Sequence, residues 1–160
     1  MIVKEKNQND IMGQQLVNSL EIDYIFANKP INRLENKPTI EMVKSKLNDL
    51  QEKIKNIKNC ELKSNAKQIV FSDGNFKNSI MIVGEGPGQK EDELGKPFVG
   101  DAGQLLNKML TAINLKRESV YITNVVNYRP PNNRKPETAE INRYAEFLRE
   151  HISIIDPKIL

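Results

Sequence analysis

The chain has 160 residues, 38% of them hydrophobic and 28% charged, which suits one soluble domain with a modest core. No run approaches the roughly 18 apolar residues of a membrane span, and the opening residues are not expected to act as a signal peptide, since they lack its apolar centre. One cysteine, Cys60, excludes an internal disulfide and suits a reducing cytoplasm, while a formal net charge of +3 permits nucleic-acid binding without demanding it.

Residues 1–37 are polar and rich in Asn and Lys, with one weakly amphipathic piece at 11–25 and a break at Pro30; such a stretch is expected to be loosely ordered. Residues 38–59 read as an amphipathic helix capped by Thr39, with Ile40, Val43, Leu47, Leu50, Ile54 and Ile57 on one face. A lead-in strand is expected at 68–71 and a turn at Asp73, Gly74 and Asn75. A central strand follows at 80–84, where Ile80, Met81, Ile82 and Val83 form an apolar run too short for an isolated helix. Asp101 opens the next helix, with Gln104 completing a capping box and Leu105, Leu106, Met109, Leu110 and Ile113 forming its buried stripe. Residues 119–126, rich in β-branched and aromatic side chains, read as a second clear strand. A Pro/Asn/Arg loop at 127–136 leads into a helix at 137–154 with Ile141, Tyr144, Leu148, Ile152 and Ile155 on one side. Pro157 ends it, and residues 158–160 look like the start of a third sheet strand.

This alternation predicts an α/β fold, a parallel sheet with right-handed crossovers and helices on both faces. Residues 1–60 are read as a polar, helical extension and 61–160 as the domain. Both strands end in polar loops, 85–98 and 124–134, which this topology sets side by side at the carboxyl edge of the sheet. Open α/β sheets place their ligands there.

The first loop is glycine-rich, with Gly84, Gly86, Pro87 and Gly88 directly after the strand. It fails as a dinucleotide fingerprint because Gln89 stands where the last glycine belongs, and it fails as a P-loop because no Gly-Lys-Ser/Thr follows. On the loop alone, a tight strand-to-helix turn without a ligand stays open. Three blocks taken together go further: GEGPGQKED at 84–92, GKPFVGDAGQLL at 95–106 and VYITNVVNYRPPNNRKP at 120–136. In this order and spacing they resemble the family 4 uracil-DNA glycosylases of the uracil-DNA glycosylase superfamily, from about Cys60 to the last residue.

The resemblance implies hydrolysis of the N-glycosidic bond of uracil in DNA, the first step of base excision repair. That chemistry flips the nucleotide out, tells uracil from cytosine and stabilises a departing uracil anion. Phe98 would offer a flat face to the flipped base, a core aromatic being the alternative. Asn124 presents a donor and an acceptor together, matching O4 and N3–H of uracil, with a capping or turn asparagine as the alternative. Glu85, Gly86 and Pro87 match the loop that lines the family's uracil pocket, with Glu85 crowding the C5 edge. Glu91 matches a family carboxylate that orients or activates the attacking water. Asp92 and Glu93 are expected to face solvent or cap a helix. Arg129, Arg134 and Lys135 suit phosphate contacts from a stiff loop, a solvated basic loop being the alternative.

The family also carries a four-iron, four-sulfur cluster on four cysteines, which would match residues 57, 60, 128 and 144. Here those are Ile57, Cys60, Tyr128 and Tyr144, so no cluster and no metal is expected. The family's second motif, a His-Pro segment whose histidine donates to uracil O2, would lie downstream of the point matching Leu160. The one histidine, His151, falls inside a predicted amphipathic helix and matches no catalytic position. The resemblance therefore implies a C-terminally truncated domain with weak or no excision by itself. Alternatives are half of a split glycosylase, completed by a separate C-terminal fragment, and a non-catalytic DNA- or protein-binding remnant.

Overall fold

A helix begins beside Thr39, whose hydroxyl accepts from the Met42 N–H at 3.3 Å. The computed structural model describes residues 38–160; the amphipathic piece at 11–25 and Pro30 lie outside them. The helix, α1 (Ile40–Lys55), buries Leu47, Leu50 and Ile54, while Ile40, expected on the same face, is exposed at its first turn. A short α2 (Glu61–Asn65) follows. None of the described helices is long and apolar enough to cross a membrane.

The sheet is mixed, which corrects the all-parallel expectation. It has three strands, β1 (Ser72–Gly74), β2 (Met81–Gly84) and β3 (Tyr121–Asn124), in the order β1-β3-β2. The β2–β3 pair is parallel as the strand-helix-strand pattern requires, but β1 runs antiparallel to β3, with Ser72 opposite Thr123. The lead-in strand thus starts four residues later than expected. Val70 and Phe71 are drawn into the core instead, and Val70 exchanges hydrogen bonds with Asn127, donating at 2.8 Å and accepting from its Nδ2 at 3.2 Å. The expected strand start at 158–160 appears as a parallel bridge between Ile80 and Ile159 on the free side of β2.

Successive residues of a strand face opposite sides, and this alternation divides the core. Met81 and Tyr121 face one layer with Leu50 and Ile54 of α1 and Tyr144 and Ile155 of α5 (Thr138–Ile155). Ile80, Ile82, Val120 and Ile122 face the other, under Leu106 and Leu110 of α4 (Asp101–Ala112). Helices therefore lie on both faces. The second face is the thinner, because Leu105, Met109 and Ile113 of the expected stripe are about 60% exposed. The expected capping box of α4 is also absent. Its N-cap is Gly100, one residue earlier than expected, and the Gly100 N–H donates to Glu91 Oε1 at 2.7 Å.

Candidate functional site

The parallel register ends with Gly84 opposite Asn124, so the loops that follow β2 and β3 leave the sheet at one edge. Backbone bonds from Val125 N to Gly84 O (2.8 Å) and Val126 N to Glu85 O (3.2 Å) carry the pairing into both loops. Between them and the start of α4 lies a cleft of about 280 Å³, lined by Glu85, Gly86, Glu91, Phe98, Gly100 and Asn124 among others. Five side chains or glycines expected at a site thus converge. Pro87 is buried beneath the loop and does not line the cleft.

Asn124 is 3% exposed, and its Nδ2 has no hydrogen-bond partner, alone among the buried side-chain N and O atoms of the described residues. A buried donor left unmatched costs roughly 1–3 kcal/mol. The Asn124 carboxamide and the Phe98 ring both close on Gly84: a Cβ built there would overlap Asn124 Oδ1 and come within 2.6 Å of the ring. The amide and the ring can both sit there only because residue 84 has no side chain.

Glu91 is the third residue of the short helix α3 (Gln89–Leu94) and binds three backbone amides. Oε2 accepts from Gly88 N at 3.1 Å, and Oε1 from Val99 N and Gly100 N at 2.9 and 2.7 Å. Burial pushes the carboxyl up, but those amides and the Glu91 N–H outweigh it and hold the group below its ordinary value. It is an ionised, oriented carboxylate. Oε1 has both lone pairs engaged, and Oε2 keeps one free for a further donor.

Phe98 has φ 53°, in the left-handed region, whereas every other positive-φ residue among the described ones is Asn, Asp or Gly. Strain of this kind costs of order 1–3 kcal/mol and persists only where surroundings enforce it. Arg117 supplies much of that enforcement, donating to Pro97 O at 2.6 Å and Phe98 O at 2.9 Å while its Nε donates to Asp73 Oδ2 at 2.9 Å. Gly103 leaves room for the turn, since a Cβ there would overlap the Phe98 carbonyl. Sequence reading missed Arg117 and Asp73. They stand 44 residues apart with no local pattern joining them.

The Pro/Asn/Arg loop lies against Gly86 through Pro130 and Pro136. Arg134 is committed within the chain, in a two-pronged pair with Glu140 at 2.8 and 2.7 Å. Arg129 donates from Nε to Asn133 Oδ1, and Lys135 is exposed. None of the three lines the cleft. Asp92 does not face solvent: it is 1% exposed and its Oδ1 accepts from Lys67 N and Gln68 N. Glu93 is exposed, beside Gln89 and Lys67. His151 is buried on the far layer, stacked on Phe71 with ring centroids 4.6 Å apart and sharing a 2.7 Å hydrogen bond with the Tyr121 hydroxyl.

Ile57, Cys60, Tyr128 and Tyr144 belong to one apolar cluster. Cys60 Sγ shares a 3.4 Å hydrogen bond with the Tyr144 hydroxyl. One thiol, two phenols and an isoleucine do not make the donor set of an iron–sulfur cluster.

Over residues 71–160 the chain matches the family described as the uracil DNA glycosylase superfamily. It is 46% identical over 112 residues to a type-4 uracil-DNA glycosylase of Pyrobaculum aerophilum, covering 70% of this chain and 57% of that one. It is 44% identical over 111 residues to the Thermotoga maritima protein of that name (69% and 58%), and 43% identical over 114 residues to the Archaeoglobus fulgidus one (71% and 57%). The chain thus spans a little over half the length of the relatives it matches.

Proposed function

Because the chain belongs to the uracil DNA glycosylase superfamily, we propose that its cleft receives a uracil base flipped out of single-stranded DNA and serves hydrolysis of that nucleotide's N-glycosidic bond. The observation that carries this reading is the unpartnered, buried Nδ2 of Asn124 at the cleft wall. In the bound state that donor meets uracil O4, and the amide oxygen accepts from N3–H. Cytosine offers an amino group and a bare nitrogen at those points, so both bonds fail. The Phe98 ring stacks on the base, and Glu85 stands at the C5 edge where thymine carries its methyl. Glu91 holds a water through the free lone pair of Oε2 as an ionised anchor. Arg129 and Lys135 meet phosphates, while Arg134 stiffens their loop through Glu140.

No histidine faces the leaving base, the one in the sequence being buried against Tyr121. The described residues thus supply groups that read the base, and excision by these residues alone is expected to be weak or nil. The lone, hydrogen-bonded thiol of Cys60 suits a reducing cytoplasm. The test compares binding and excision of single-stranded oligonucleotides bearing uracil, thymine or cytosine at one position. Uracil is preferred, and Asn124→Ala erases most of its advantage over cytosine. Equal binding of the three would overturn the reading.

A split enzyme is the second reading, favoured by the exposed Leu105, Met109 and Ile113 on α4 and by Ile159 and Leu160 beside the open edge of β2. A C-terminal fragment supplying the histidine then restores excision when added in trans.

A further inference from the structure

We propose that Arg117, oriented by Asp73, is a positioning residue that sets the Phe98 ring against Gly84 and Asn124. This rests on Phe98 as the stacking face for uracil. The guanidinium is planar and offers its donors in a fixed fork. Here the fork spans two successive carbonyls, Pro97 O and Phe98 O, while its remaining edge is locked to Asp73 Oδ2. Two carbonyls that converge on one planar group fix the orientation of both peptide planes, and those planes set the Phe98 φ of 53°. An extended backbone at residue 98 would carry the ring off Gly84. Gly103 leaves room for the turn and Glu91 ties down the amides that follow it, but neither touches the Pro97 carbonyl. Asp73 sits on β1 opposite Ile122 of β3, so the clamp refers the ring's position to the strand that ends in Asn124.

A side chain that only stabilises the fold would change the melting temperature and leave the ring where it is. The readout is therefore the ring itself, followed in the full chain by NMR. The Gly84 α-hydrogen on the ring side stands where a Cβ would lie 2.6 Å from Phe98 carbons, so its resonance is displaced by the ring current. Phe98→Leu removes that displacement and defines its size. Arg117→Met is expected to lose most of it while the Ile122 and Thr123 amide resonances stay in place. It is also expected to lower the preference for a uracil oligonucleotide over one with an abasic site at that position by about tenfold. In a Phe98→Leu background the same substitution should have no further effect on that preference. If Arg117→Met does not fold, Arg117→Lys is read in its place, since it keeps the ion pair with Asp73 but cannot span both carbonyls. A Gly84 resonance unmoved in the folded variant overturns the clamp, whatever the chain binds. A resonance that moves without loss of uracil preference upholds the clamp and removes the stacking role from Phe98.

Discussion

Gly84 and Asn124 are partners in the parallel ladder, and the space beside the Gly84 Cα is occupied by the Asn124 carboxamide oxygen. Gly84→Ala must displace that amide, the Phe98 ring or the strand. Overpacking of this kind costs about 1–3 kcal/mol. The expected outcome is a folded protein with a modestly lowered melting temperature and no preference for uracil. A variant that retains the preference would show that the amide and the ring do not form the base site.

Glu91 should make stability depend on acid. Its folded pKa lies below the ordinary value, so its contribution is complete above that value and is lost as pH falls through the folded one. Glu91→Gln keeps an acceptor for Val99 and Gly100 but can turn an N–H toward Gly88, and should cost about 1–3 kcal/mol at neutral pH. Denaturant titrations at several pH values check this: the gap between the two proteins closes below pH 4.5.

His151 tells on a different window. Burial lowers its pKa from 6.5 to about 4, so the folded state binds fewer protons than the unfolded one between those values. Its share of stability is whole above pH 6.5 and drains away as pH falls toward 4, by on the order of 3 kcal/mol in all. His151→Gln should flatten that part of the stability profile and leave oligonucleotide binding nearly untouched. A binding defect would place the histidine in the site after all.

Cys60 and Tyr144 give a prediction about colour. The protein purified under anaerobic conditions should show no broad absorption near about 400 nm and no stoichiometric iron or sulfide. Tyr144→Phe removes the hydroxyl that meets Cys60 Sγ and should cost about 1 kcal/mol, read as a shift in the denaturant midpoint.

The exposed apolar flank of α4 predicts self-association. Leu105, Met109 and Ile113 lie at successive turns and are 59%, 60% and 64% exposed. Changing all three to Gln should reduce binding of a hydrophobic dye and aggregation on heating without altering the core. Unchanged behaviour would locate the sticky surface elsewhere.

Period and punctuation made much of this fold legible. Ile82, Val83, Ile122 and Thr123 announce two strands that end in polar loops, and from that the edge holding Glu91, Phe98 and Asn124 follows. What stayed hidden depends on contacts between distant residues. The direction of β1 is set by its pairing with β3 and by the Val70–Asn127 exchange, which no local propensity encodes. Helical spacing placed Leu105 and Met109 in the same stripe as Leu110, but spacing cannot say how wide a face the neighbouring layer covers. Arg117 gave no local signal, because its partners arrive from two other segments.

The bonds that hold the 97–100 turn belong to three different parts of the chain: Glu91 on α3, Arg117 before β3, and through it Asp73 on β1. No one of those segments can release the turn while the others stay bound. Its amides at Val99 and Gly100 should therefore exchange with solvent deuterium in step with the sheet, rather than at the quick rate usual for a glycine-flanked loop. The rim of the cleft is then a stiff part of the molecule, and whatever enters the cleft is the partner that has to bend.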